Sequence, residues 1–197
     1  MKKSPLLIIC FVVVVAISMM TPAYSSGDED SKLALYGQYG GPFSLVDHHG
    51  KTVTDRDFLG QYVLMFFGYT YCPDVCPTAM QTISDALDIL GDRPDIVPVF
   101  VSVDTKRDTP EVLKSYLENF HPSIVGMTGT PEQVVAAAKA YGVYYAIVEG
   151  SSGDPDDYLM NHSSITYLMG PDGAFITHFS HGTPPDQMAE KLDRMAK

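Results

Sequence analysis

The chain has 197 residues, 45% of them hydrophobic, and carries 24 acidic against 13 basic side chains for a formal charge of −11. Such a field excludes nucleic acid as a natural partner and suits a cationic metal or a basic protein surface. With three cysteines and about 170 residues beyond an apolar N-terminal run, the chain is long enough for one domain whose core needs no disulfide staples.

Lys2 and Lys3 precede the apolar run Leu6 to Ile17, and Ser18 to Ser26 follow. Residues 1–26 read as an export signal or a short membrane anchor. The run is shorter than the roughly 20 residues of a comfortable span, and Ala23-Tyr24-Ser25 offers a small-x-small cleavage site. The large Ile9 before Cys10 argues against lipidation. Residues 27–35 form an acidic tether, and 36–197 the domain.

Gly41 to Asp47, the turn His48-His49-Gly50, and Lys51 to Thr54 spell an N-terminal β-hairpin. Tyr62-Val-Leu-Met-Phe-Phe67, bounded by Gly60 and Gly68, is a buried strand. Pro77 suits a first helical position, and Ile83, Ala86, Leu87 and Leu90 share one face of the helix it opens, which ends near Gly91. A strand follows over Ile96 to Asp104. Three later helices, about 110–120, 131–140 and 185–196, are each announced by Thr-Pro and an acidic residue: threonine caps, proline opens, and the carboxylate meets the dipole. Ser164 to Met169, the turn Gly170-Pro-Asp-Gly173, and Ala174 to Phe179 form a second hairpin. The order predicts an α/β sandwich with a central mixed sheet flanked by helices, an N-terminal β-hairpin and an inserted hairpin.

Cys72 and Cys76 lie between the buried strand and its helix, in Gly68-Tyr-Thr-Tyr-Cys-Pro-Asp-Val-Cys-Pro77. Cys76 falls near the N-cap and Cys72 in the loop before it, facing the positive end of the helix, where thiolates are favoured. The C-x3-C spacing admits two inert cysteines, a redox dithiol, or metal binding by both thiolates. The thioredoxin-type dithiol also sits between a strand and a helix, with the shorter C-x-x-C spacing. With only Cys10 remaining, a zinc site of four cysteines, or of three with a histidine, is excluded, so any metal needs a ligand that is not cysteine.

Six histidines compete for that place. His48 and His49, in a turn, read as solvated, and His121 as a residue at a helix C-terminus. His178 and His181, on or after the last strand, are candidates for a peripheral metal site. His162 immediately precedes a central strand, and in a thioredoxin-like layout that loop faces the cysteine loop. A hydrogen-bonded loop histidine is the competing interpretation.

Three stretches together, Phe66 to Pro77, Val101-Ser-Val-Asp-Thr-Lys-Arg-Asp-Thr-Pro110, and Asn161-His162 leading into Tyr167 to Gly173, closely resemble the Sco/SenC family of copper-binding, thioredoxin-fold proteins. The resemblance runs from about Tyr36 to the C-terminus. It implies that Cys72, Cys76 and His162 hold one copper, as Cu(I) or Cu(II). It further implies a metallochaperone outside the cytoplasmic membrane, anchored or released, serving the copper subunit of a respiratory oxidase with the help of a thiol reductant. The family often has Asp where Asn161 stands and Pro where Thr105 stands. Soft thiolates select Cu(I) and an added imidazole accommodates Cu(II), so the chemistry of the three side chains agrees. The alternative is a thiol–disulfide oxidoreductase, or a redox-defence protein, using Cys72 and Cys76 as its redox-active pair.

Overall fold

The computed structural model describes residues 39–196 apart from 153 and 155; the signal or anchor over 1–26 and the tether over 27–35 lie outside the described residues. In order come β1 (Ser44–Asp47), β2 (Thr52–Thr54), β3 (Tyr62–Gly68), α1 (Val75–Leu90), β4 (Ile96–Ser102), α2 (Pro110–Leu117), β5 (Val125–Thr128), α3 (Pro131–Ala140), β6 (Tyr145–Glu149), β7 (Tyr158–His162), β8 (Ile165–Met169), β9 (Phe175–Ser180) and α4 (Pro185–Met195).

Seven strands form one sheet in the order β2-β1-β5-β4-β3-β8-β9, while β6 and β7 pair as a separate two-stranded sheet. β3 runs parallel to β4 and antiparallel to β8, and β4 runs parallel to β5. This is the expected thioredoxin-like sandwich with a mixed sheet. Buried on both faces, the central β3 is a continuous apolar run from Val63 to Phe67 rather than an alternating one. α1 packs against α4, α2 against β5 and α3 against β1.

Two of the three Thr-Pro starts work as the sequence predicts. Thr109 accepts from the N–H of Val112, and Thr130 accepts from that of Gln133, whose side chain returns the bond. The third differs. Its second proline shifts the helix by one residue, so Pro184 occupies the cap, and the Thr183 hydroxyl instead donates to the carbonyl of Ser180 at 2.8 Å.

β5, β6 and β7 are additions to the sequence reading. β5 is short, and its Gly126 permits a close helix approach: a Cβ there would meet Leu117 at 2.6 Å. β6 turns the segment before His162 into a hairpin, so this histidine is not in a free loop but is the last residue of β7, paired with Tyr145.

Candidate metal centre

β3 ends at Gly68, where a Cβ would stand 2.9 Å from the sulfur of Cys76 and 2.9 Å from the Phe100 ring. The absent side chain lets the sulfur lie against the strand. Beyond it, the Cys72 N–H donates to the carbonyl of Tyr69 at 3.3 Å and closes the loop.

α1 begins at Val75, two residues before Pro77. Proline is tolerated throughout the first turn because none of those N–H groups has a helical partner. Cys76 is therefore inside the helix rather than at its cap. Asp74 holds the cap position without a side-chain hydrogen bond. The free N–H of Cys76 is met by the sulfur of Cys72 at 3.3 Å, so a cysteine does the work of the capping side chain.

Cys76 is fully buried and Cys72 partly exposed, and both are free thiols. Burial pushes the Cys76 thiol far above its usual range, against a Tyr69 backbone hydrogen bond that favours the anion. The thiolate expected at the helix end is corrected for this residue: desolvation outweighs the dipole, and Cys76 holds its proton.

That proton has a partner. The Nε2 atom of His162 lies 3.1 Å from the Cys76 sulfur, and its Nδ1 lies 3.2 Å from the carbonyl of Ser163. In the tautomer whose Nδ1–H donates to that carbonyl, Nε2 accepts from the thiol. Burial lowers the pKa of His162, against backbone hydrogen bonding at Ser163 and Phe67. The rings of Phe66 and Tyr69 stand edge-on to the imidazole, at 6.0 and 5.9 Å between centroids. Burial thus favours the neutral form of both groups, and a metal ion would take the place of the thiol proton.

The two sulfurs and the imidazole nitrogen all lie within 4.8 Å of one another, the one such group of three metal-binding side chains among the described residues. Two soft sulfur donors, an imidazole nitrogen and a displaceable proton fit a soft ion. The other histidines stand elsewhere. His48 is held by the N–H of Gly126, which donates to its Nδ1 at 3.0 Å, and His49 packs on it. His121 neighbours Ser123, and His178 and His181 are exposed.

Sequence reading missed the residues that hold this frame. Asp108, wholly buried, accepts from the N–H and hydroxyl of Thr70 at 2.9 and 2.6 Å and from the hydroxyl of Ser102 at 2.5 Å. It anchors the cysteine loop to the end of β4. Burial raises its pKa, opposed by these hydrogen bonds. The Tyr69 hydroxyl, also buried, accepts from the N–H of Met160 at 3.2 Å and so ties that loop to β7.

SCO1/SenC matches residues 32–197. The chain belongs to the SCO1/SenC family. It is 42% identical over 156 residues to the human "Protein SCO1 homolog, mitochondrial", covering 78% of this chain and 51% of that protein. The chain therefore spans about half the length of this human relative. Among solved structures, Bradyrhizobium japonicum ScoI with copper bound is similar at 42% identity and a TM-score of 0.73, covering 79% of this chain and 98% of that one. BsSco, described with a disulfide switch and as a member of the Sco family of cytochrome c oxidase assembly proteins, is similar at 25% identity and a TM-score of 0.61, covering 81% and 94%.

Proposed function

We propose that this SCO1/SenC protein is a copper metallochaperone that holds one copper, as Cu(I) or Cu(II), on Cys72, Cys76 and His162 and passes it to the copper subunit of a respiratory oxidase. The observation that carries this reading is the meeting of two sulfurs and an imidazole nitrogen within 4.8 Å. Three protein ligands leave one side of the ion open, as a protein that hands its cargo on requires. Thiolates retain Cu(I), and the imidazole extends binding to Cu(II). The copper-bound relative supports the choice of metal, and the assembly role of BsSco the choice of client. Residues 1–26 act as the export signal or anchor, which puts the domain in the periplasm or on the outer face of the cytoplasmic membrane.

Metal titration of the reduced domain tests the ligands. Cys72→Ser or Cys76→Ser abolishes tight copper uptake, while His162→Ala weakens Cu(II) more than Cu(I). Wild-type stoichiometry in either cysteine variant sinks the assignment.

A second reading is favoured by the approach of Cys72 Sγ to the backbone of Cys76 and by the disulfide switch of BsSco. In it the pair gives two electrons and two protons to a client disulfide and becomes a disulfide itself, to be restored by a thiol reductant. Measuring copper content and client-thiol reduction on one purified domain separates the two readings.

A further inference from the structure

The hairpin that carries His162 is not bonded into the main sheet. Among the described residues β7 makes its ladder only with β6, and a cavity of about 760 Å³ opens beside it, lined by Asp104, Lys106, Ile147, Tyr158 and Met160 among others. Outside that ladder β7 is held by its side chains, with Tyr158 and Met160 buried, and by the bond from the Met160 N–H to Tyr69. The strand's position fixes the 3.1 Å separation between His162 and Cys76.

Arg107 supplies much of what holds it. Its guanidinium lies over the ring of Tyr158, the first residue of β7, at 3.5 Å and over the ring of Tyr71, next to Cys72, at 4.6 Å. One Nη donates to the carbonyl of Tyr158 at 2.9 Å and, at 3.3 Å, to that of Asp156. Nε meets Asp104 at 2.5 Å, and the same carboxylate accepts from the Tyr158 hydroxyl at 2.7 Å. Arg107 is 10% exposed and Asp104 2%, so this ion pair is shielded from solvent. The second Nη is buried with no hydrogen-bond partner among the described residues. Interior donors are seldom left so, and the planar cation stacked between aromatic faces explains why this one is tolerated. A lysine could not reproduce the stacked fork.

We infer that Arg107, locked by Asp104, is a positioning residue: a latch that joins the cysteine loop at Tyr71 to the His162 strand at Tyr158 and so brings the third ligand to the two sulfurs. The inference rests on the proposed ligand set. It concerns the Cu(II) state above all, because that state needs the imidazole whereas the two thiolates alone retain Cu(I).

The test uses Arg107→Lys, Arg107→Met and Tyr158→Phe, the last keeping the stacked ring while removing its bond to Asp104. The Arg107 variants lose about tenfold or more in Cu(II) affinity, the size found when partners that orient a ligand are removed, with a changed thiolate-to-Cu(II) absorption band. Cu(I) affinity stays within about threefold of wild type. In the metal-free protein, amide hydrogen exchange quickens over 158–162 and not in β4. Placed on a His162→Ala background, Arg107→Met costs no further Cu(II) affinity. Unchanged Cu(II) affinity and exchange, or an equal further loss without His162, overturns the latch. Should the Arg107 variants fail to fold, Tyr158→Phe decides: about threefold weaker Cu(II) binding with faster exchange supports it, and wild-type values overturn it. Copper retained by Cys76→Ser is a different result, which sinks the ligand set itself.

Discussion

At His162, burial sets the sign of a pH effect. The folded protein holds the imidazole neutral with its pKa below the usual 6.5, whereas the unfolded chain takes up the proton near that value. Its contribution to stability is therefore complete above about pH 6.5 and is lost as pH falls toward the lowered folded value. Partly buried His48 shifts in the same direction, chiefly through desolvation. His162→Gln thus flattens the acid-side decline of the metal-free protein without removing it. Urea midpoints taken between about pH 8 and pH 5 measure this, and an unchanged slope would mean that the imidazole is not held neutral by its surroundings.

How much of the site could be read at this scale follows from sequence distance. The cysteines were legible because their whole setting, strand end, loop and helix start, lies within ten residues. Arg107 was not, because its partners Tyr71 and Tyr158 are brought to it by the fold, and the arginine itself looks like an ordinary loop cation. The protonation of Cys76 was equally hidden: the sequence displays the helix end but not the burial that overrides it.

Among the elements, the β6–β7 hairpin matters most to function. The acidic stretch Glu149 to Asp157 reads from sequence either as a solvated surface loop or as an arm that carries His162 toward and away from the cysteines. The ladder places that stretch at the opposite end of β7: Glu149 pairs with Tyr158 at the tip and Tyr145 with His162 at the base. Between them, the N–H of Met160 is fixed to Tyr69. Shortening Ser151 to Asp156 loses only the longer of the two carbonyl bonds of Arg107, at 3.3 Å to Asp156, and should leave Cu(I) and Cu(II) affinity within about threefold of wild type, since the Tyr158 stack and carbonyl bond and the Met160 tie remain. Equilibrium titration checks this, and a tenfold loss of Cu(II) binding alone would return the stretch to the centre. β6 escaped sequence reading because both of its faces carry exposed apolar side chains, Ile147 on one and Val148 on the other, which breaks the alternation that marks a half-buried strand.

For the whole molecule, the proposed ligand set makes copper and a Cys72–Cys76 disulfide mutually exclusive occupants of the same sulfurs. A ligand that binds only the folded form stabilises it by about 2.7 kcal/mol at a hundred times its Kd. Copper accordingly raises the Tm of the reduced protein by several degrees and leaves that of the oxidised protein unchanged. Calorimetry on the two forms, with the bridge verified by mass, measures the difference. An equal rise in both would put the stabilising metal away from this pair.

The topology also orders events in time. Cys76 and His162 are 86 residues apart in the chain, and β8, which begins at Ile165 just after the histidine, closes the free side of β3, the strand that leads into the cysteine loop. As synthesis proceeds from the N-terminus, the thiols emerge well before the imidazole, with no burial to protect them from oxidants or stray metals. The segment that delivers His162 is the same one that completes the central sheet. On the proposed ligand set, a chain stalled before β8 offers two sulfurs but not the third ligand, so competence to take up copper would certify that the chain has been finished.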